Sequence, residues 1–516
     1  MYKSNPLTQC DFYKIDHRRQ YPEGTTLVYS NLTPRSNRLS PCHQSPFYDG
    51  KMVVFGTQYF IRYLHNLFRD NFFNEPKAQV IASFKRRIEN SLGKDAITYE
   101  HIEALHNLGY LPIKIKALPE GVRVNMKVPI LTIVNTLPEF FWITNFLETI
   151  LSATVWKLCT NASIAFEYKR VLAHYAQKTG ADMSLVKFQG HDFSFRGMSG
   201  NIDAAASGMA HLTCFVGTDT IPAIDMAEYY YNCDSDTELI GCSVPASEHS
   251  CMCLNGFDSE IDTFKRFITK LYPKGIVSIV SDTWDFWKVI TEYLPKLKDI
   301  IMSRDGKVVI RPDSGDPVDI ICGKALECKD YRDIVENKQI DQSQPEFKGA
   351  IECLWDIFGG TINEKGYKVL DSHIGLIYGD SITLERANKI LTRLQEKGFA
   401  SSNIVFGIGS YTYQYSTRDS FGMAVKSTYG EVNGAGREIF KSPKTDSGIK
   451  NSAKGLLRID IVDGNYILKD QVSKEEESLG GLFTMYNDGN FHNQQNLTEI
   501  RGRINKDINN HLMENK

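Results

Sequence analysis

Between Val186 and Ser410 one phrase recurs with variations. A short apolar, β-branched run stops at small and acidic residues, and a stretch patterned like a helix follows. Leu185–Phe188 leads to His191–Gly197, Leu212–Val216 to Gly217-Thr218-Asp219, and Leu239–Val244 to Ser247-Glu248-His249. Ile276–Val280 leads to Ser281-Asp282, Val308–Ile310 to Arg311–Asp316, Ile374–Tyr378 to Gly379-Asp380, and Ile404–Phe406 to Gly407-Ile408-Gly409. Apolar runs alternating with amphipathic stretches predict βα units around a parallel sheet. Polar and acidic residues gathered at the same end of each run predict a barrel with its chemistry on the C-terminal rim. The expected fold class is α/β: an irregular TIM-like (β/α) barrel of about seven parallel strands, plus an α+β domain.

The rest of the chain supplies that second part. Ile113–Leu118, Val122–Met126 and Val128–Val134 alternate or run apolar around a Pro119-Glu120-Gly121 turn, and read as a small antiparallel module. Helices are expected over Gly56–Asp70, Glu139–Ser152 and Ala162–Thr179, with Pro138 as a first-turn proline. Lys441–Gly455 is polar and basic, and Leu456–Ile467 reads as a strand pair around Asp463-Gly464. The expected division is an N-terminal α+β domain over 1–180, the barrel over 181–425, and a tail over 426–516 that packs back on the first domain.

Composition narrows the function. With 59 Lys and Arg against 62 Asp and Glu, the net charge of −3 argues against nucleic acid or an anionic membrane as the main partner. No run is long and apolar enough to span a bilayer, and the first residues lack an apolar signal core. The 11 scattered cysteines suit a reducing cytoplasm better than a disulfide framework, and no paired C-x-x-C pattern predicts zinc. Arg311-Pro312-Asp313-Ser314-Gly315-Asp316 is the sharpest local signal. Arginine offers a planar fork to phosphate or carboxylate, a following aspartate accepts from sugar hydroxyls or holds Mg²⁺ through water, and Ser-Gly exposes backbone N–H groups. A plain Asp-Ser-Gly-Asp turn is the alternative. Gly407-Ile408-Gly409-Ser410 is a weaker phosphate-cradle signal.

Taken together, the ordered motifs resemble the nicotinamide phosphoribosyltransferases, a branch of the type II phosphoribosyltransferases. The resemblance runs from Asp11-Phe12-Tyr13-Lys14 to the Lys441–Gly455 segment. It is carried by His191–Gly197, Gly217–Thr220, Ser243–Ser250, Val277–Asp282, Arg311–Asp316, Gly379-Asp380 and Thr417-Arg418-Asp419. It implies that nicotinamide and phosphoribosyl pyrophosphate react with Mg²⁺ to give nicotinamide mononucleotide and pyrophosphate, with ATP as co-substrate, in a cytoplasmic homodimer with shared active sites. Phe193 resembles the stacking residue under the pyridine ring, with Tyr13 of a second subunit as its partner. Asp219 would accept from the carboxamide and repel nicotinate; its alternative role is a helix cap. Arg196, Gly409, Ser410 and Arg418, helped by Arg35 of the other subunit, would bind phosphate. Arg311 would reach the pyrophosphate and the base side of the ribose; Asp313 and Asp380 would accept from ribose hydroxyls. Asp282 and Asp313 would form the Mg²⁺ shell, partly through water. Asp11, Ser243, Val244, Ser278 and Gly379 complete the substrate-binding set. His249 would be phosphorylated by ATP, with Asp282 or Glu248 orienting its other nitrogen. Lys426, Lys441 and Lys454 either add positive charge near polyphosphate or are solvated.

The chain departs from the family pattern at Ser410-Tyr411, where the animal enzymes have a denser glycine run, at Ser381 after Asp380, where glycine is usual, and at Phe188 and Ser194 near the base tunnel. Two other functions fit parts of the pattern: a nicotinate phosphoribosyltransferase, against which Asp219 argues, and a noncatalytic binding protein, against which the intact Asp219, His249, Arg311, Asp313 and Asp380 set argues.

Overall fold

The computed structural model describes residues 4–325, 343–440 and 453–514. Its site-bearing half is a parallel sheet of six strands in the order Gly217–Thr218, Gly190–Asp192, Ile404–Ile408, Ile374–Tyr378, Val308–Arg311, Val277–Val280. Every pairing in it is parallel, so all six C-terminal ends share one rim. Val277–Val280 is buried at every residue, the pattern of a strand covered on both faces.

The sheet has one strand fewer than expected, and the reasons are local. Leu239–Val244 forms no strand. It makes single parallel bridges instead, Cys242 to Gly217 at one sheet edge and, just beyond the run, Ala246 to Ser278 at the other. Pro245 lies between those bridges and has no N–H to offer a ladder. Leu185–Phe188 is not a strand either. Met183–Phe188 is a 3-10 turn whose Asp182 side chain accepts from the Ser184 N–H at 2.8 Å, and the strand starts later, at Gly190. Most of Leu212–Val216 is the buried turn after the helix Asn201–His211, leaving only Gly217–Thr218 extended. The remaining runs form strands close to where the sequence puts them.

A second, antiparallel sheet of seven strands has the order Ala435–Glu438, Ala424–Val432, Thr25–Thr33, Leu131–Asn135, Ile113–Ala117, Phe483–Asn487, Asn490–Phe491. The end of the chain thus pairs directly with its beginning, at Ile113–Ala117 and at Thr25–Thr33. The Pro119–Gly121 turn forms, with Gly121 at φ +84°, but it does not close the expected hairpin. Arg123–Val124 pairs with Met52–Val53 instead. Leu456–Val462 and Asn465–Val472 pair across Asp463-Gly464, both left-handed, as a two-residue hairpin demands. Most of Lys441–Gly455, residues 441–452, lies outside the described residues.

Between the sheets lies one helix, Glu148–Thr179, of 32 residues. It takes in the end of one expected helix and all of the next. Leu158 through Ala173 are buried without interruption, so the helix has no solvent face along that stretch and gives no amphipathic period. The start of the expected Glu139–Ser152 helix is broken into a 3-10 turn, Pro138–Phe140, and a short helix, Ile143–Phe146. The Gly56–Asp70 helix is present as Thr57–Phe68, continued by a π-turn over Arg69–Phe73. No helix among the described residues is long and apolar enough to cross a membrane.

Glu120 pins these layers together. Its fully buried carboxylate accepts from Thr57 Oγ1 at 2.8 Å, Gln58 N at 2.7 Å and Tyr231 Oη at 2.7 Å, while its backbone meets Gln495 and Arg503 of the tail. Glu120→Ala leaves those buried donors without an acceptor. Urea unfolding should register a loss of about 3 kcal/mol; a loss under about 1 kcal/mol would show that the hub carries no such weight.

Candidate active site

The six-strand rim gathers the expected residues from separate loops. Phe193 follows its strand directly, its N–H donating to the Ile408 carbonyl at 2.9 Å. Its ring lies against two glycines: a Cβ on Gly407 would stand 2.4 Å from the ring, and one on Gly379 3.5 Å from it. The Gly379 position is also 2.8 Å from Asp313 Oδ1. Glycine there allows the ring, the Gly379-Asp380 turn and the Arg311–Asp313 loop to approach one another.

On the other side of Phe193 stands His191, ring centroids 4.8 Å apart. His191 Nε2 lies 2.8 Å from Asp219 Oδ1, and Ser243 Oγ donates to the same oxygen at 2.6 Å. Burial pushes the Asp219 carboxyl up, but the hydrogen bonds from His191 and Ser243, with the nearby Arg311 charge, outweigh it and hold the group below the usual carboxylate range. Asp219 is therefore an ionised acceptor at neutral pH. Its cap alternative is not realised, since no side chain caps the helix Ile221–Tyr231.

Asp282 organises the opposite side. Its side chain is 4% exposed, and its Oδ1 lies 3.1 Å from His249 Nε2. Its Oδ2 accepts from Asp313 N at 2.8 Å and Ser314 Oγ at 2.6 Å. The orienting partner of His249 is thus Asp282; Glu248 bonds Ser250 instead. Tyr378 Oη, donating to the Ser314 and Gly315 carbonyls at 3.0 and 2.9 Å, holds the far end of the Arg311–Asp316 loop. Arg311 donates to the Ser247 carbonyl. Its Nε and the Ser278 hydroxyl are buried polar atoms without a partner among the described residues. Buried donors that the protein itself leaves unpaired suit a polar ligand. Burial raises the Asp313 carboxyl, Arg311 opposes this, and Asp282 and Asp380 add to the rise. Those interactions place Asp313, Arg311, Asp282, Asp380 and His249 in one electrostatic cluster.

Ser410 packs against the turn that carries exposed Arg196, its Oγ 2.0 Å from where a Cβ on Gly197 would stand. Gly409 caps the short helix that Ser410 opens. Val244 is half-buried beside Ser243. Ser381, in a place where the family pattern has glycine, adopts φ +48°, with its hydroxyl donating to Asp380 Oδ2 at 2.9 Å and its carbonyl held by Arg386 at 2.7 Å.

Four expected residues do not join this rim within one chain. Asp11, Tyr13, Arg35 and Arg418 line a separate cavity of about 330 Å³. Tyr13 is 59% exposed there and does not stack on Phe193; Asp11 accepts from Thr149 Oγ1 at 2.8 Å, and Arg35 Nε donates to the Gly422 carbonyl at 2.9 Å. Arg418 is grouped with Arg35, and its ion pair is with Asp419 at 3.6 Å, not with Arg196 or Ser410. Sequence reasoning did not single out His191, Ser247 or Ser314 for their roles; His191 two residues before Phe193 on a strand is the one signal, since it shares that face.

The donor set fits a hard cation held with a substrate better than a resident one. No cluster of three or more metal-ligating side chains exists among the described residues. Both Asp282 oxygens are already engaged, while among the described residues no hydrogen bond reaches the Asp313 carboxylate. Mg²⁺ bound by one or two carboxylates and substrate phosphates has those needs.

Residues 188–494 match the model of the nicotinate phosphoribosyltransferase (NAPRTase) family, and residues 5–115 match that of the nicotinamide phosphoribosyltransferase N-terminal domain. A nicotinamide phosphoribosyltransferase of Acinetobacter baylyi is 55% identical over 510 residues, 98% of this chain and 97% of the relative. Proteins of the same name from Mycoplasma pneumoniae (34%, 85% and 92% covered) and Xanthomonas campestris pv. campestris (31%, 97% and 98% covered) are similar. A nicotinate-nucleotide pyrophosphorylase from Pyrococcus furiosus has the same fold at TM-score 0.55 and 13% identity over 99% of this chain and 97% of that one. Human nicotinic acid phosphoribosyltransferase does so at 0.51 and 14%, over 96% and 93%. Fold and rim together are those of a phosphoribosyltransferase, a pentosyl-transferring enzyme. Within that class the chain belongs to the nicotinamide phosphoribosyltransferase family.

Proposed function

We propose that this enzyme joins nicotinamide to phosphoribosyl pyrophosphate, giving nicotinamide mononucleotide and pyrophosphate, as a cytoplasmic step of NAD salvage. The observation that carries the reading is the ionised Asp219, linked through His191 to the Phe193 ring. A carboxylate there accepts from a carboxamide NH₂ and repels the carboxylate of nicotinate. The pyridine nitrogen has a free lone pair, so it attacks the ribose C1 without a general base. The C1–O bond breaks with its electron pair going to pyrophosphate. Phe193 stacks the ring and Arg311 steadies the departing charge. Ser278 offers its hydroxyl to the ligand, Asp313 and Asp380 accept from the ribose hydroxyls, and Arg196, Gly409 and Ser410 hold the 5′-phosphate. Asp313, with Asp282 through water, would hold Mg²⁺, which neutralises phosphate charge when bound.

ATP use is part of the same reading. A neutral His249 that donates through Nε2 to Asp282 keeps its lone pair on Nδ1. That nitrogen attacks the γ-phosphorus of ATP, the bridging P–O bond breaks, and ADP leaves with the electron pair. The displaced position of Tyr13 and Arg35 supports a homodimer in which they reach the partner's rim. The bridges from Cys242 and Ala246 to the two sheet edges support a sheet closed into an irregular TIM-like barrel by a seventh, broken segment. The free cysteines among the described residues accord with a reducing compartment.

Assayed with each base by mass detection of product, the enzyme should strongly prefer nicotinamide. Asp219→Asn should lower kcat/KM for nicotinamide by about 10- to 100-fold and narrow the gap to nicotinate. A wild-type preference for nicotinate would overturn the base assignment. His249→Ala should abolish ATP stimulation while leaving ATP-independent transfer; ATPase activity undiminished in that variant would remove the phosphohistidine. Tyr13→Ala and Phe193→Ala, each nearly inactive alone, should partly restore activity in mixed dimers, and no recovery in verified mixed dimers would count against shared sites.

A further inference from the structure

A cavity of about 470 Å³ lies at the other end of the strands that carry His191 and Asp219. It sits between the Glu148–Thr179 helix, the C-terminal helix Leu497–Glu514 and the Met183–Phe188 turn. Nothing in the proposed reaction uses it. Val216 at its wall precedes Gly217–Thr218, and Lys187 precedes Gly190–Asp192, so the cavity faces the N-terminal ends of these strands.

Three cationic side chains converge there: Lys169, Lys187 and Arg501. Lys169 is only 8% exposed, and its ammonium group donates to Asn505 Oδ1 at 2.6 Å, an uncharged partner. Arg501 spends its donors on backbone carbonyls, Leu212 at 2.8 Å, Ile240 at 2.6 Å and Leu239 at 3.2 Å. Lys187 lies over the Phe188 ring at 5.1 Å. Among the described residues none of the three forms an ion pair with a carboxylate; the adjacent Asp182 caps Ser184 N. Burial pushes the Lys169 amine below its ordinary range; Cys214 opposes this, and Arg501 and Lys187 add to it. Folding thus holds a buried cation beside two others; Glu238 acts on Arg501, but among the described residues no carboxylate pairs directly with Lys169, an arrangement an anion would relieve. Apolar walls from Ala173, Val216 and Ile508 stand beside the charges.

We propose that this cavity is a second anion site, built for the phosphate group of a small organic phosphate whose body packs on the apolar wall. Lys169 and Lys187 meet the phosphate oxygens, Arg501 adds its positive charge beside them while its N–H groups stay on the carbonyls, and Asn505 holds the Lys169 amine in place. The site is distinct from the rim, which lies at the opposite strand ends.

Pyridoxal 5′-phosphate tests this on the intact wild-type enzyme, because it carries both a phosphate and an amine-reactive aldehyde. The Lys169 lone pair attacks the aldehyde carbon, water leaves, and borohydride delivers hydride to the imine carbon to fix a secondary amine. Peptide mapping separates Lys169 from any lysine labelled at the rim. Lys169 should be labelled ahead of exposed Lys506, and inorganic phosphate should protect it. AMP should protect at a concentration at least fivefold lower than inorganic phosphate. Lys187→Gln, an exposed change that folds readily, should raise the phosphate concentration for half-protection about five- to tenfold. An unlabelled Lys169, labelling that phosphate does not protect, or protection unchanged in Lys187→Gln would overturn the site. AMP protecting no better than inorganic phosphate would overturn the organic body.

Discussion

One buried carboxylate sets the geometry of the rim. Asp282 is nearly excluded from water, so its charge must be met by donors, and the donors come from two other loops. Holding Asp313 N and Ser314 Oγ on one oxygen fixes the Arg311–Asp316 loop; holding His249 on the other fixes the start of the helix His249–Asn255. Removing that charge frees both loops at once. The arrangement is local in sequence only within each loop: the parallel sheet brings the three strand ends together, and the carboxylate then locks them.

The sheet in turn depends on what lies behind it. The Glu148–Thr179 helix packs against the site-bearing half through its middle and against the C-terminal helix Leu497–Glu514, while the antiparallel sheet threads the first and last thirds of the chain together. Neither sheet is assembled from a contiguous stretch: Ala424–Val432 crosses back to Thr25–Thr33, and Phe483–Asn487 crosses back to Ile113–Ala117. Pairings of such long sequence separation close large loops, which makes them the slow kind of contact to form.

What was readable in the sequence follows from burial. Val277–Val280, Val308–Arg311, Ile374–Tyr378 and Ile404–Ile408 are β-branched runs with little exposed surface, and burial in a parallel sheet leaves just that trace. Leu185–Phe188 and Leu212–Val216 are also apolar-rich but form turns, the first mostly exposed and the second buried; an Asp182 cap and the end of a helix decide their conformation, and hydrophobicity does not record either. The sequence of the long central helix shows it as two pieces because residues buried on all sides lose the 3.6-residue period. At the rim the acidic tails were visible, and their pairing was not. That His191 supports Asp219, that Ser314 shares Asp282, and that Arg418 stands with Arg35 are facts of three-dimensional register between distant loops.

The charges at the rim are ordered along a line, and the order bears on how a substrate pair of the proposed kind would enter. At one end Asp219 is kept ionised by two donors. Phe193 follows, then Gly379, then Asp313, whose carboxyl is raised by burial among like charges with Arg311 opposing the rise. Arg311 influences both ends, lowering Asp219 and Asp313 alike. A neutral ring with an amide has every reason to settle at the Asp219 end, where an anion is repelled. A polyanion is driven from both carboxylates towards the unpartnered Arg311 Nε and the Ser410 turn. A neutral reactant and a polyanionic one of the proposed kind would thereby be drawn to different ends of the rim before any contact between them forms. For a displacement that needs no general base, that sorting is most of what the protein must supply.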